Sequence, residues 1–291
     1  SSRLWGSRRV PKAVRAHFGP HAGGIPVPLR TARRAGVGAR VEVGGAAHGA
    51  YNRRVRLALF SDLHANEIAL DAVLADASSA GFDQLVCLGD VATLGPRPAA
   101  VLARLRGLGC RNVLGNHDEF MIDRALIHTY SESALIVSSV EATRSALTTE
   151  ELEFIRSFER TIAFEDVLLY HATPRSNMED LLSTTPAEHV DEMLAGRQAL
   201  VFAGGHTHVQ MVRQHRGTLI VNCGSVGLPF KEYASGGPPV VLPHAEYAMV
   251  EVHGGAVSAE LRRVPLERAA LATQLDGWDN PLAPSSRALY A

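Results

Sequence analysis

The sequence has few cysteines and no cysteine pairing motif. Its 291 residues include three, Cys87, Cys110 and Cys223, and no Cys-x-x-Cys. An odd number in a chain of this length argues against a disulfide framework, and the missing pairs argue against thiolate ligation of a metal. Cys87 and Cys110 stand in apolar runs, where a free thiol packs as a small core residue. This cysteine usage suits a reducing compartment, and we expect a cytoplasmic protein.

Long apolar runs and a dominant charge are also missing. No apolar stretch reaches the roughly 18 residues of a membrane span, so we expect no membrane partner. The formal net charge is −1, but it is unevenly spread. Eleven of the 29 basic and one of the 30 acidic residues stand in residues 1–54, which leaves 18 basic and 29 acidic residues in the remainder. An acidic body is poorly suited to nucleic acid, which is therefore not the expected partner.

Residues 1–54 differ from the rest of the chain. They are rich in Arg, Gly, Ala and Pro, and they show no sustained hydrophobic period. Such a segment can be a transit peptide or a basic arm for nucleic acid. We favour a disordered or non-native extension ahead of a true start near Val55. The predicted single domain is 55–291, with a core over 55–263 and a C-terminal tail over 264–291.

Strand and helix patterns alternate along the first part of this domain. Apolar runs predict strands at 55–60, 84–88 and 111–114, and helical spacing predicts helices at 66–80 and 101–108. The β-α-β-α-β order predicts parallel strands joined by right-handed crossovers.

The second part of the domain predicts another sheet. A helical region over 119–158 comes first, and it contains the capping-box pattern Thr148-x-x-Glu151. A hairpin of two short strands follows, and we expect it to start the second sheet. The strands are predicted at 161–165, 167–170, 199–203, 218–222, 247–252 and 256–262, with a helix at 186–195. Beyond Pro265 we expect a short helix and a polar tail.

Polar side chains collect where the predicted strands end. They form five groups: Asp62-Leu63-His64, Gly89-Asp90, Gly115-Asn116-His117-Asp118, His171 and Gly205-His206-Thr207-His208. Ligands gather at the carboxyl ends of strands in open α/β sheets. Residues two apart in an extended chain point to the same side, so each Asp-x-His or His-x-His pair can reach one pocket. Oxygen and nitrogen donors suit Mn, Fe, Zn or Co, and there are too many here for one four-coordinate zinc.

Each group alone has an ordinary structural explanation. Asp-x-His and Gly-Asp are common in turns, and His171 could be a strand-end histidine with a local partner. Only Gly-His-Thr-His favours a metal by itself. The occurrence of all five groups at strand ends is what favours a shared site for two metals.

The ordered set of five groups resembles the signature of the calcineurin-like metallophosphoesterases, over about residues 55–263. Ser61-Asp62-Leu63-His64-Ala65-Asn66 and Asn222-Cys223-Gly224-Ser225-Val226-Gly227 resemble the small bacterial phosphodiesterase-like branch of that superfamily. The chain departs from the branch at Cys223, where Pro is usual, at Thr93-Leu94, where Gly-Tyr is commoner, and at Ala172-Thr173, where Gly-Ser is commoner. These departures lie beside the metal residues, so they bear on substrate preference more than on metal binding.

The resemblance implies a four-layer α/β-β/α sandwich, in which two mixed sheets flanked by helices carry the site at the C-terminal ends of their strands. It also implies two divalent metal ions, with manganese expected and Fe, Zn, Co or Ni as alternatives. Asp62, His64 and His208 would hold the first metal, Asn116, His171 and His206 the second, and Asp90 would bridge both.

The implied activity is hydrolysis of a small phosphodiester, with phosphomonoesters as further substrates. A hydroxide shared by the two metals would attack phosphorus, and His117 would protonate the leaving oxygen as general acid. Asp118 would orient His117 by accepting its second N–H, and a helix N-cap is the compatible structural explanation. Arg97 and Arg175 are candidate phosphate contacts, because guanidinium binds phosphate oxygens in pairs; ordinary surface arginine is the alternative.

Two other functions stay open. A catalytically silent protein-interaction scaffold of the same fold usually has a damaged site, whereas every expected ligand and His117 are present here. The acidic body argues against a nuclease, but the basic residues 1–54 keep that reading open. Salt-dependent DNA binding that is lost when they are removed would support it.

Overall fold

The computed structural model describes residues 54–234 and 239–290. These residues contain ten strands and nine helices. The predicted extension over residues 1–54 therefore lies outside the described residues, apart from Arg54. In chain order the elements are β1 (Val55–Phe60), α1 (Glu67–Ala80), β2 (Gln84–Cys87), α2 (Pro98–Leu108), β3 (Arg111–Asn112), α3 (Asn116–Ile122), α4 (Leu126–Tyr130), α5 (Ala134–Ala146), α6 (Thr149–Arg156), β4 (Ile162–Phe164), β5 (Val167–Leu169), α7 (Ala187–Leu194), β6 (Val201–Gly204), β7 (Met211–His215), β8 (Thr218–Asn222), β9 (His244–His253), β10 (Ala256–Pro265), α8 (Arg268–Thr273) and α9 (Ala283–Tyr290).

Two mixed sheets of five strands each form the centre of the fold. The first has the order β10-β9-β1-β2-β3, with β1, β2 and β3 parallel and β9 and β10 antiparallel. The second has the order β4-β5-β6-β8-β7, with β5, β6 and β8 parallel. β4 and β7 run antiparallel to their neighbours at its two edges. The predicted hairpin of β4 and β5 does start this second sheet.

Strand β1 shows why the molecule has four layers. Leu57 and Leu59 pack into the core that also takes side chains of the second sheet, such as Ala203 and Val221. Ala58 and Phe60 point the other way, into the core beneath the helices. Successive strand residues face opposite sides, and both faces of β1 are covered. Its buried part, residues 57–60, is therefore continuously apolar rather than alternating.

Helices cover the outer face of each sheet. The buried residues of α1, α2 and α5 join the core on the outer side of the first sheet. Helix α7 packs Val190 and Leu194 against Phe202 and Ile220 on the outer side of the second. The result is the helix–sheet–sheet–helix order expected from the sequence.

Local sequence signals account for most element boundaries. The Asn66 side chain caps α1 by accepting from the Ala69 N–H at 3.1 Å, and Gly81 ends it with φ +74°. The Thr148–Glu151 capping box forms at the start of α6. Strand β7 has no counterpart among the predicted elements. The short helix expected after Pro265 is α8, but the expected polar tail contains a further helix, α9, and Leu271, Leu282 and Ala283 are buried there. Within the described ranges, no helix combines the length and apolarity that a bilayer crossing requires.

Candidate metal centre

The five polar groups meet where the carboxyl ends of the two sheets come together. Each follows a strand: β1, β2, β3, β5 or β6. Two clusters result, and the ligand atoms of each lie within 4.8 Å of one another. The first consists of Asp62, His64 and His208, and the second of Asp90, His171 and His206. All six residues are buried, so the sequence-predicted residues of these two sets are brought together.

The first cluster directs two imidazole nitrogens at each other. His64 Nδ1 lies 3.3 Å from the Thr93 carbonyl oxygen, and His208 Nδ1 lies 2.7 Å from that of Leu228. Since a carbonyl only accepts, both Nδ1 atoms carry the hydrogen. The two Nε2 atoms face each other at 3.0 Å, and each presents a lone pair when its ring is neutral. Asp62 Oδ1 adds a third acceptor, 3.2 Å from His208 Nε2.

The second cluster repeats this arrangement with an amide oxygen at its centre. His171 Nδ1 donates to the Leu88 carbonyl oxygen at 2.8 Å, which leaves Nε2 as the nitrogen that faces the cluster. That Nε2 lies 3.1 Å from Asn116 Oδ1 and 3.4 Å from Asp90 Oδ2. His206 Nδ1 also lies 3.1 Å from Asn116 Oδ1. Asn116 therefore belongs to this cluster, as the sequence predicted.

These distances fit divalent cations. Two donors about 2.1 Å from one ion and at right angles to each other are about 3.0 Å apart, close to the 3.0 to 3.4 Å observed within the clusters. Asp62 Oδ1 is buried, with no hydrogen-bond partner among the described residues. Buried polar atoms normally have partners, so these atoms are candidate ligands of a cation.

Asp90 faces both clusters. Its Oδ2 lies 3.4 Å from His171 Nε2 in one cluster and 4.0 Å from His64 Nε2 in the other. Its Oδ1 accepts the backbone N–H of His117 at 2.8 Å, which fixes the plane of the carboxylate. One carboxylate oxygen thus points between the clusters, the orientation required of a bridging ligand.

In the first cluster, burial and neighbouring charges hold Asp62 and His64 in the protonation states that bind metals. Burial would raise the pKa of Asp62, but the attraction of His208 outweighs it and lowers that pKa to about 2. Burial, followed by repulsion from His208, lowers the pKa of His64 to about 3. Asp62 is therefore anionic and His64 neutral at neutral pH, the states in which both residue types bind metals.

A proton competes with a cation at one histidine of each cluster. In the first, Asp62 raises the pKa of His208 against the opposing effect of burial; in the second, the competing histidine is His171. Burial acts to lower its pKa, but Asp90 outweighs burial and raises the pKa to about 9. Metal binding at His171 Nε2 would therefore release a proton near neutral pH.

The backbone of the site is strained. Five of the clustered residues have φ between +43° and +70°: Asp62, His64, Asp90, His206 and His208. The left-handed region costs a non-glycine residue about 1–3 kcal/mol, and such residues concentrate at functional sites. Close approach adds a second constraint, since a Cβ at Gly115 would overlap Asp90 Oδ1 and one at Gly205 would overlap Asp62 Oδ2.

His117 lies beside both clusters without belonging to either. It is the second residue of α3, and its ring is edge-on to the His64 ring, with 5.3 Å between centroids. Burial lowers the pKa of His117 to about 4, against the opposing attraction of Asp90. Its Nδ1 contacts the Thr93 hydroxyl at 2.9 Å.

The partner predicted for His117 is corrected by this contact. Asp118 was expected to accept the second N–H of His117, but its carboxylate accepts three backbone N–H groups instead. These come from Asp90 at 2.8 Å, Val91 at 2.9 Å and Gly115 at 3.0 Å. Asp118 therefore joins the loop after β2 to the start of α3, which agrees with its alternative interpretation as a helix cap.

The two predicted phosphate contacts lie on the surface. Arg97 is exposed at the N-cap of α2. Arg175 is exposed and forms an ion pair with Glu179 at 2.7 Å. Neither is part of the two clusters.

Two residues near the centre carry no sequence motif. Thr93 contacts His117. The one feature of the sequence that pointed to Thr93 was the departure from the Gly-Tyr pair that is commoner at these positions. Asp180 Oδ1 lies 3.3 Å from His206 Nε2, although the angle is poor for a hydrogen bond. Asp180 Oδ2 accepts from the Tyr233 hydroxyl at 2.7 Å. No pattern along the chain could have predicted the contact between Asp180 and Tyr233, because 53 residues separate them.

Comparisons with known proteins agree with this geometry. The sequence model of the calcineurin-like phosphoesterase superfamily domain matches residues 55–246. The uncharacterized protein MJ0912 of Methanocaldococcus jannaschii is 28% identical over 176 residues, which are 59% of this chain and 70% of that protein. A metallophosphoesterase from Sphaerobacter thermophilus superposes with a TM-score of 0.63 at 25% identity, over 82% of this chain and all of that one. The hypothetical protein PH1004 of Pyrococcus horikoshii shares the fold, with a TM-score of 0.64 at 13% identity over 81% of this chain and 97% of that one.

Proposed function

Because this chain belongs to the calcineurin-like phosphoesterase superfamily, we propose that it hydrolyses phosphate esters with two divalent metal ions. Small phosphodiesters are the proposed main substrates, and phosphomonoesters are further ones. The observation that carries the proposal is the pair of buried acceptor clusters with one oxygen of Asp90 between them. A scaffold has no need of so many imidazoles and carboxylates buried in close contact, and the cost of burying them is difficult to explain without cations.

The ligand assignment follows the two clusters. Asp62, His64 and His208 would hold one ion, Asn116, His171 and His206 the other, and Asp90 both. When bound, the ions supply positive charge to the phosphoryl oxygens and lower the pKa of a shared water. Manganese is the proposed metal, and Fe, Zn, Co and Ni are compatible with the same donors.

His117 is assigned as the proton donor to the leaving oxygen. Its Nδ1 is occupied by the Thr93 hydroxyl, so Nε2 is the nitrogen that would face the substrate. In the free protein, burial keeps the ring neutral at neutral pH. An anionic phosphate ester bound beside it would favour the protonated ring, because an opposite charge at close range stabilises the charged form.

The two surface arginines are proposed only as outer contacts. Arg175 would have to exchange Glu179 for a phosphate oxygen. Arg97 would meet a substrate only where that substrate extends towards the start of α2. Both roles predict a change in KM rather than in kcat, because a contact made equally in the ground and transition states affects binding alone.

The test is hydrolysis of bis-p-nitrophenyl phosphate and p-nitrophenyl phosphate by metal-stripped protein, with and without added Mn²⁺. Asp90→Ala removes the shared ligand, and Asp71→Asn is the matched control, because Asp71 is an exposed carboxylate paired with Arg104. Mn²⁺-dependent turnover that is lost in the first variant and kept in the second supports the proposal. Two bound metals without turnover of either ester would favour the scaffold, and cleavage of DNA alone would favour the nuclease.

A further inference from the structure

Thr93 contacts two functional histidines at once. It is fully buried. Its hydroxyl lies 2.9 Å from His117 Nδ1, and its carbonyl oxygen lies 3.3 Å from His64 Nδ1. We propose that Thr93 is the positioning residue for the acid: it holds the His117 ring in one orientation, so that Nε2 faces the leaving group. This inference rests on the proposed function, since it assigns a role within that reaction.

Neighbouring carboxylates are engaged elsewhere and cannot take this role. Both oxygens of Asp118 accept backbone N–H groups. Asp90 Oδ1 accepts the backbone N–H of His117, and its Oδ2 faces the metal clusters. The Thr93 hydroxyl is thus the polar group that the fold places at His117 Nδ1.

The hydrogen bond fits both states of the acid. In the protonated ring both nitrogens carry hydrogen, so Nδ1–H donates to Thr93 Oγ1 and Nε2–H is directed at the leaving oxygen. As the P–O bond breaks, its electron pair goes to the leaving oxygen, which takes the proton from Nε2. The N–H electron pair stays on Nε2, and the neutral ring keeps its Nδ1–H. The contact with Thr93 therefore persists, and no group has to reorganise during the transfer.

The local backbone makes Thr93 a rigid partner. A β-branched side chain has few accessible χ1 rotamers, and burial removes the remaining freedom. The next residue, Leu94, is held at φ +65°, and the Arg97 N–H donates to the Ala65 carbonyl at 3.0 Å, which joins this loop to the one after β1. Glycine, commoner at position 93 in the related branch, would offer no hydroxyl.

Two nearly isosteric substitutions separate positioning from structure. Thr93→Val keeps the shape and removes the hydroxyl, whereas Thr93→Ser keeps the hydroxyl. Each variant is assayed with Mn²⁺ on bis-p-nitrophenyl phosphate, whose leaving group needs little protonation, and on diphenyl phosphate, whose leaving group needs more. Acid catalysis contributes about 10²–10⁴-fold, so we expect Thr93→Val to lower kcat for the diphenyl ester about 100-fold. We expect a change of only a few-fold for the nitrophenyl ester, and near wild-type rates in Thr93→Ser.

Controls distinguish this inference from the proposed function. Bound manganese per chain and Tm are measured for each variant, because the Thr93 carbonyl also contacts His64. The ring of His117 is followed by NMR in metal-free protein, where we expect a single ring orientation in the wild type and Thr93→Ser, and averaging over more than one orientation in Thr93→Val. A wild type that turns over neither ester refutes the proposed function. An active wild type with equal losses on both esters in Thr93→Val, or with no loss, overturns the Thr93 inference alone.

Discussion

Metal binding should stabilise this protein in two separable steps. Each cluster holds buried ligand atoms in close contact. In the first, the Nε2 atoms of His64 and His208 are 3.0 Å apart. In the second, His171 Nε2 and Asn116 Oδ1 are 3.1 Å apart. The unfolded chain holds neither set together, so cations should bind the folded state almost exclusively. Such binding adds RT ln(1 + [M]/Kd) to the free energy of unfolding, about 2.7 kcal/mol at 100 times Kd.

That free energy converts into a measurable shift. For a domain of this size, 1 kcal/mol moves Tm by about 2–4 °C, so one filled site should raise Tm by about 5–10 °C. Both sites should raise it further, but not by the full sum. Asp90 serves both clusters, and residues that share a partner are not additive.

Differential scanning fluorimetry of metal-stripped protein titrated with MnCl₂ measures the effect. His208→Ala should remove the step of the first cluster and His171→Ala that of the second. Asp90→Ala should weaken both. His189→Ala is the matched control, because His189 is an exposed histidine outside both clusters. It should keep the full rise.

Two results would refute this reasoning. A Tm that does not respond to Mn²⁺, Zn²⁺, Co²⁺ or Ni²⁺ would mean that the acceptors do not bind cations. A full rise in Asp90→Ala, His208→Ala and His171→Ala alike would mean that the stabilising metal binds elsewhere on the chain.

Three further changes test other parts of the structure. Asp180→Asn should weaken Mn²⁺ binding at one site about 10–100-fold by calorimetry, because the carboxylate contacts a ligand histidine at 3.3 Å; unchanged binding at both sites would contradict this. Gly115→Ala should abolish activity, since the added Cβ would overlap the Asp90 carboxylate. Gly107→Ala is the contrasting change, because a Cβ there meets nothing within 4 Å. It should add about 0.5–1 kcal/mol to the free energy of unfolding in denaturant titrations. The Tyr247 hydroxyl lowers the pKa of Asp76 by hydrogen bonding to its carboxylate. The bond therefore stabilises the fold at pH values above 3.8, the ordinary pKa of the carboxyl group. This stabilisation is lost as the pH falls through the lower pKa that Asp76 has in the folded protein. Tyr247→Phe should therefore cost about 1 kcal/mol at pH 6, discounted for an Asp76 side chain that is 34% exposed, and progressively less as the pH falls below 3.8; a cost that stays constant as the pH is lowered would contradict the assignment.

Local sequence patterns were enough to predict much of the fold and which residues cluster. Strand segments with two buried faces are continuously apolar, as residues 57–60 of β1 are, and each such strand is followed by the polar residues that its carboxyl end presents. Parallel strands in one sheet place these ends at one edge, so the order of the motifs was enough to predict which residues converge. Helix caps such as Asn66 and Gly81 act over three or four residues, and they were equally visible in the sequence.

Only the tertiary structure decided which groups orient those residues. His117 was paired with its chain neighbour Asp118 on sequence grounds, yet its ring meets Thr93, 24 positions away. The reason is physical: the three N–H donors of a sharply turned backbone occupy the nearer carboxylate, and that turn exists only once β2 and α3 are packed. Asp180 and His206 likewise meet through loops without hydrophobic periodicity. Chain periodicity records which face is buried; it does not record which distant loop supplies the partner for a buried polar atom.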